Sequence, residues 1–126
     1  MGLQDYLPRR GEETVCLLLI ETRAAVENIE AICRVEGVDA MVIAQFDLAT
    51  ELGVPGRFDA PEFRDAVARA ERAILEAGIP LGAAALTREQ TRAILERGYR
   101  LPVQGFDVLM LGTQVRQAAE WRRGGP

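Results

Sequence analysis

The stretch VCLLLIETRAAVENIEAICRVEGVDAMVIA, running from Val15 to Ala44, decides the fold class. It opens on Val15-Cys16-Leu17-Leu18-Leu19-Ile20, an apolar run of strand length. A run apolar on both faces is the pattern of a buried parallel strand. From Arg23 to Val35 the period changes. Val26, Ile29 and Cys33, with Ala25 and Ile32 beside them, recur at helical spacing. Gly37 is a normal helix stop. Val38 to Ala44, centred on Met41-Val42-Ile43, returns to the strand pattern.

Outward from this unit the alternation continues. Asp59-Ala60-Pro61-Glu62 reads as a helix start, with Asp59 as cap, a proline in the first turn and a glutamate three residues after the cap. Phe63, Val67, Ala70 and Ile74 mark one face of that helix, and Gly78 and Pro80 end it. Leu81-Gly82-Ala83-Ala84 is a third strand. Thr87-Arg88-Glu89-Gln90 is a second capping box, opening a helix that runs through Ile94 and Leu95 to Gly98. Leu101 to Phe106 is a fourth strand, weakened by Pro102. A last helix spans Val108 to Arg122, with Leu111, Val115, Ala118 and Trp121 expected to face inward. Residues 1–13 are a lead-in and 123–126 a frayed tail of one domain covering 1–126. The class is α/β: four consecutive βα units, hence a parallel sheet with right-handed crossovers. A small doubly wound sheet and half of a (β/α)8 barrel both fit. A closed barrel needs roughly 200 residues or more, and this chain has 126.

Composition narrows the chemistry. The chain has no His, Lys or Ser, and all 15 of its basic residues are Arg. A Ser-His-Asp triad, a Cys-His dyad and a Schiff-base lysine therefore have no residues here. Zinc of the His/Cys type would find only Cys16 and Cys33, which read as packing residues. A net charge of −4 argues against nucleic acid as a partner. No apolar run reaches the ~20 residues of a bilayer span. Met1-Gly2-Leu3-Gln4-Asp5 lacks the layout of a signal peptide, so the cytoplasm is the expected compartment. Carboxylates, arginines, backbone amides and an oxygen-loving metal remain.

In parallel α/β proteins ligands bind at the carboxyl ends of strands. Those ends read Ile20-Glu21-Thr22, Ala44-Gln45-Phe46-Asp47 and Gly105-Phe106-Asp107. Glu21 and Asp47, at the ends of neighbouring strands, would share one mouth and could hold a hard cation such as Mg²⁺ or Mn²⁺. The competing reading makes each acid a helix cap or a partner for an arginine, and Asp107 reads as a cap. Gly53-Val54-Pro55-Gly56 is a turn without the spacing of a phosphate cradle. Arg64, Arg69, Arg72, Arg88, Arg92 and Arg97 interleave with glutamates as a solvated face.

Five blocks in order carry a resemblance: Leu18-Leu19-Ile20-Glu21-Thr22, Ala25-Val26-Glu27-Asn28-Ile29, Val35-Glu36-Gly37-Val38-Asp39, Ile43-Ala44-Gln45-Phe46-Asp47-Leu48-Ala49 and Leu52-Gly53. Together with Gly78-Ile79-Pro80-Leu81-Gly82 and Gly105-Phe106-Asp107, they resemble the HpcH/HpaI aldolase/citrate lyase family, the metal-dependent class II pyruvate aldolases. The resemblance implies a (β/α)8 barrel of which this chain corresponds to strands five to eight. It implies that Glu21 and Asp47 bind a divalent metal (Mg²⁺, Mn²⁺ or Co²⁺). That metal would also take the carboxylate and keto oxygens of pyruvate or another 2-oxo acid and stabilise its enolate while a carbon–carbon bond is cleaved or formed. Backbone amides of Phe46 and Asp47 would hold the substrate carboxylate. Ala44 and Gln45 flank that site where the family carries Gly-Pro, and Leu19 stands where many members have Gln or Met.

The family's catalytic His and carbonyl-binding Arg fall in the other half of the barrel, so no catalytic residue is assigned in this chain. A half barrel exposes two strand edges and an apolar inner face. The expected partner is a second copy or a separate first-half chain, with Leu109-Met110-Leu111, Val115 and Trp121 packing on a neighbour as the last helix does in the family. The alternative is a half barrel without turnover, binding metal and 2-oxo acid or serving assembly alone.

Overall fold

The computed structural model describes residues 14–122, so the expected lead-in 1–13 and tail 123–126 lie outside the described residues. The elements alternate as the periodicity predicts: β1 (Leu17–Ile20), α1 (Arg23–Glu27), α2 (Ile29–Ile32), β2 (Ala40–Ile43), α3 (Gln45–Glu51), α4 (Pro61–Glu76), β3 (Leu81–Ala84), α5 (Arg88–Glu96), β4 (Leu101–Val103) and α6 (Asp107–Arg122). The four strands are all parallel and lie in the order β1-β2-β3-β4. Chain order equals spatial order, so there is no point where the winding reverses. With right-handed crossovers this puts the connecting helices on one side of the sheet. That is the half-barrel arrangement, and the doubly wound alternative is excluded.

The covered side holds the core. Ile20, Met41, Ile43, Leu81 and Ala83 pack there against Val26, Ile29, Leu48, Phe63, Ala70 and Ile74. On the other side, Leu17 and Leu19 remain 45% and 53% exposed. Gly82 lies in the middle strands in register with Val42 and Leu101, and a Cβ built on it would meet Leu101 O at 2.7 Å and Val42 Cγ2 at 2.9 Å. Asp39 fastens the start of the β1–β2 pair: its Oδ2 accepts from Cys16 N at 2.7 Å, and its own N donates to Cys16 O at 3.0 Å.

Polar ties hold the helices to one another. Arg69 of α4 donates to Glu30 and to the Glu27 carbonyl. Beside α5, Arg97 and the Tyr99 hydroxyl, the latter at 2.9 Å, both bind Glu71 of α4. Arg69 and Arg97 thus join separate elements rather than merely solvating a face. Arg92 forms an ordinary pair with Glu96 one turn away.

Several expectations are corrected. The helix read from Arg23 to Val35 breaks at Asn28, whose Nδ2 donates to Ala24 O and whose backbone leaves helical geometry at φ −104°, ψ 13°. Side-chain bonding of this kind competes with the backbone ladder. Gln45-Phe46-Asp47, read as the end of the second strand, instead opens the short helix α3. Asp59 does not cap α4: the N-cap is Ala60, with no side-chain hydrogen bond. Thr87 and Gln90 do form the predicted capping box. Cys16 is exposed rather than packed, while Cys33 is half-buried. No residue of α6 is buried, and Leu111, Val115 and Trp121, expected to face inward, are 67%, 60% and 71% exposed. A full apolar complement on α6 has no partner surface within this half of the sheet.

Candidate functional site

β1 and β2 end side by side, with Ile20 in register with Ile43 and Ala44 N donating to Ile20 O at 3.1 Å. The residues after each strand therefore emerge at the same end of the sheet. On β1 these are Glu21 and Thr22. The Thr22 hydroxyl accepts from Ala25 N at 3.1 Å and caps α1. Glu21 is thus not the cap, and it stays half-buried ahead of it. On β2 the chain turns directly into α3, with Ala44 as N-cap and Asp47 in the first turn. Ala44 has no side-chain oxygen to satisfy the amides that open a helix. The N–H groups of Gln45, Phe46 and Asp47 therefore face the strand ends without intrahelical acceptors.

Glu21 and Asp47 line one shallow depression of about 360 Å³, together with Thr22, Thr50 and Glu51. Among the described residues the ion pairs join Arg69 to Glu30, Arg92 to Glu96 and Arg97 to Glu71, so neither Glu21 nor Asp47 is held by an arginine. Thr50 Oγ1 donates to Phe46 O at 2.9 Å. The donor set is all oxygen, as Mg²⁺ or Mn²⁺ requires. No group of three or more His, Cys, Asp and Glu among the described residues is close enough to cage an ion. Two carboxylates with the remaining positions open is the usual Mg²⁺ arrangement, in which water and substrate complete the shell. The residues present therefore fit the metal that the sequence resemblance implies.

Asp47 also lines a second cavity, of about 190 Å³, on the open face of the sheet. Leu19, Val42, Ala84 and Val103 contribute to it from the four strands, and Phe46 and Phe106 from the strand ends. The Phe46 ring meets Phe106 edge-on at 6.4 Å and Phe58 at 5.2 Å, and Phe58 leans on Phe63 at 5.3 Å.

The structure thus brings Glu21, Asp47 and the Ala44-Gln45-Phe46 backbone together. It does not bring Asp107 into the depression: that residue opens α6, where its Oδ1 accepts from Val108 N at 2.8 Å. Sequence reading missed Thr50 and Glu51. Their spacing from Asp47 places them on the same helical side, a signal available only once α3 is seen as a helix. It also missed the aromatic wall, because Phe46, Phe58 and Phe106 belong to separate segments.

Among the described residues no helix is long and apolar enough to cross a membrane. Residues 5–113 match the family model described as HpcH/HpaI aldolase/citrate lyase. The chain is 34% identical over 115 residues to the hydroxypyruvate/pyruvate aldolase of Cupriavidus necator, covering 91% of this chain and 43% of that protein. It is 33% identical over 109 residues to the 4-hydroxy-2-oxo-heptane-1,7-dioate aldolase of Shigella sonnei, covering 86% and 42%. The chain spans somewhat under half the length of these curated relatives. A solved HpcH/HpaI aldolase/citrate lyase family protein from Burkholderia cenocepacia superposes with a TM-score of 0.83 at 32% identity, covering 97% of this chain and 48% of that one. The sheet order, the strand-end geometry and these matches agree: the chain belongs to the HpcH/HpaI aldolase/citrate lyase family.

Proposed function

We propose that this chain is the metal- and substrate-binding half of a divalent-metal-dependent pyruvate aldolase, corresponding to strands five to eight of the barrel. The observation that carries the reading is the shared depression of Glu21 and Asp47 at the carboxyl ends of adjacent strands. In this reading Glu21 and Asp47 hold Mg²⁺, Mn²⁺ or Co²⁺. The Phe46 and Asp47 amides receive the carboxylate of pyruvate or a related 2-oxo acid, with Ala44 and Gln45 shaping the backbone around it. When bound, the ion supplies Lewis-acid stabilisation of the negative charge developing on the 2-oxo oxygen as a neighbouring carbon–carbon bond is cleaved or formed. The chain has no His, so the group that moves the proton comes from the partner half, a separate first-half chain or a second copy. The compartment assigned is the cytoplasm.

Calorimetry of pyruvate against the chain tests the reading. Binding is expected with Mg²⁺ present and lost on chelation or in Glu21→Gln. No Mg²⁺-dependent binding would reject it. Deuterium exchange of the pyruvate methyl group, followed by NMR, should then appear on mixing with a first-half chain.

The exposed apolar residues of α6 support a second reading, a half barrel kept only for assembly. A stable oligomer whose solution mass ignores both metal and Glu21→Gln, with no pyruvate bound, would establish that instead.

A further inference from the structure

The turn that carries Asp47 is the least supported part of α3. The helix has 7 residues, and helices that short do not hold themselves in water. Ala44 gives its N-terminus no side-chain cap. Leu48 and Ala49 are fully buried and anchor the turn that follows, whereas Gln45, Phe46 and Asp47 are not buried. Support from outside the helix comes through the Phe46 ring. Phe58 meets it edge-on at 5.2 Å, with the ring planes at 89°, which is a favoured aromatic geometry. Phe106 approaches the same ring less closely, at 6.4 Å.

Phe58 is itself held. It stands in the segment between α3 and α4, where Val54 and Ala60 are buried. Val54 N donates to Ala49 O at 2.8 Å, Arg57 N to Val54 O at 3.0 Å and Ala60 N to Arg57 O at 3.1 Å. Gly53 and Gly56, at φ 79° and 72°, supply the left-handed turns that bring the chain back to Phe46. The Phe58 ring leans in turn on Phe63 at 5.3 Å, a buried residue of the core. A line of three rings therefore runs from the core to the turn that bears Asp47.

Resting on the metal-binding function proposed above, we propose that Phe58 is a positioning residue: it acts through Phe46 to hold the first turn of α3, and with it the Asp47 carboxylate, at the depression shared with Glu21. Phe58 does not line that depression itself. Without its ring, Asp47 must be ordered when the ion binds, and the entropy of that ordering lowers the affinity.

The test is Mn²⁺ binding to the full chain, read as loss of the free-ion signal in electron paramagnetic resonance. Phe58→Ala should weaken binding about threefold or more, as removal of a group that orients a ligand does. Phe58→Tyr keeps the ring and should bind within about twofold of the parent. Phe58→Leu keeps apolar bulk without the ring edge, should also weaken binding, and serves if Phe58→Ala fails to fold. Tyr99→Phe is a destabilising change whose contacts are with Glu71 and Arg97, and it should leave Mn²⁺ affinity unchanged. Equal weakening by Tyr99→Phe and Phe58→Ala would mean a loss of stability alone and overturn the inference. No weakening by Phe58→Ala or Phe58→Leu would overturn it too, and either result leaves the metal site standing. No Mn²⁺ binding by the parent, or binding insensitive to Asp47→Asn, would overturn the inference and the metal-site reading together.

Discussion

Ile20 and Ile43 stand in register as the last residues of adjacent parallel strands, and both are almost completely buried. Their burial anchors the two strand ends, so Glu21 and the start of α3 leave from neighbouring points. A side chain projecting from an anchored backbone is held in place at low entropic cost. Glu21→Gln or Asp47→Asn should each weaken Mg²⁺ binding about tenfold or more, because either change removes one charged oxygen ligand. Neither should lower the melting temperature measurably, since neither residue is buried. Metal calorimetry together with a thermal melt checks both halves of the prediction.

Gly82 has no room for a side chain. A Cβ there would lie 2.7–2.9 Å from Leu101 O, Leu101 Cβ and Val42 Cγ2. The two contacts at and beside the Leu101 backbone cannot swing away as a flexible side chain would. Gly82→Ala is expected to destabilise by about 1–3 kcal/mol, the usual result of overpacking. Urea denaturation of the variant beside the parent gives the value, and a gain in stability would show that β3 and β4 separate easily.

Tyr99 is buried and donates to Glu71, which Arg97 also holds. Burial first, and then the Glu71 charge, push the phenol well above its usual range. The folded state therefore keeps the proton to a higher pH than the unfolded state. The Tyr99 contribution is complete below about pH 10, the unfolded value, and is lost as the pH rises further. Urea midpoints from pH 8 to 11 should fall at the alkaline end for the parent and fall less for Tyr99→Phe. At pH 8 the variant should already be less stable by about 1–2 kcal/mol from the lost hydrogen bond.

Glu30 is held below its ordinary pKa by its own backbone amide first and by Arg69 second. Arg69→Ala should raise the Glu30 value partway, because the larger cause remains. A carboxyl-detected NMR titration reads the shift directly. An unchanged Glu30 would mean that the Arg69 contact contributes nothing in solution.

Much of the fold was legible from local pattern. Apolar runs such as Leu17–Ile20 and Ala40–Ile43 mark strands by residue type and length, although only Ala40–Ile43 is buried on both faces, while Leu17 and Leu19 stay exposed on the open side. The face of Phe63, Ala70 and Ile74, the Thr87 capping box and the left-handed stop at Gly78 are likewise local signals, and each reappears in the structure. The misreadings share a cause. Asn28 breaks a periodic segment through one side-chain hydrogen bond, and α3 is too short for periodicity to register. Asp59 loses the cap to Ala60 because the cap is set by where the backbone turns rather than by which side chain could serve.

The candidate site divides in the same way. Residue types and strand-end positions were enough to mark Glu21 and Asp47 as acids at one mouth, and to leave the proton-transfer step without a residue here. Whether the winding reverses, whether Thr22 rather than Glu21 caps α1, and whether three phenylalanines meet beside Asp47 depend on contacts between segments far apart in sequence. Hydrophobic period and capping are properties of neighbours along the chain and can be read from one strand or helix at a time. Strand order, cavity shape and the exposure of α6 arise only when separate elements compete for the same apolar surface, so they are decided by packing.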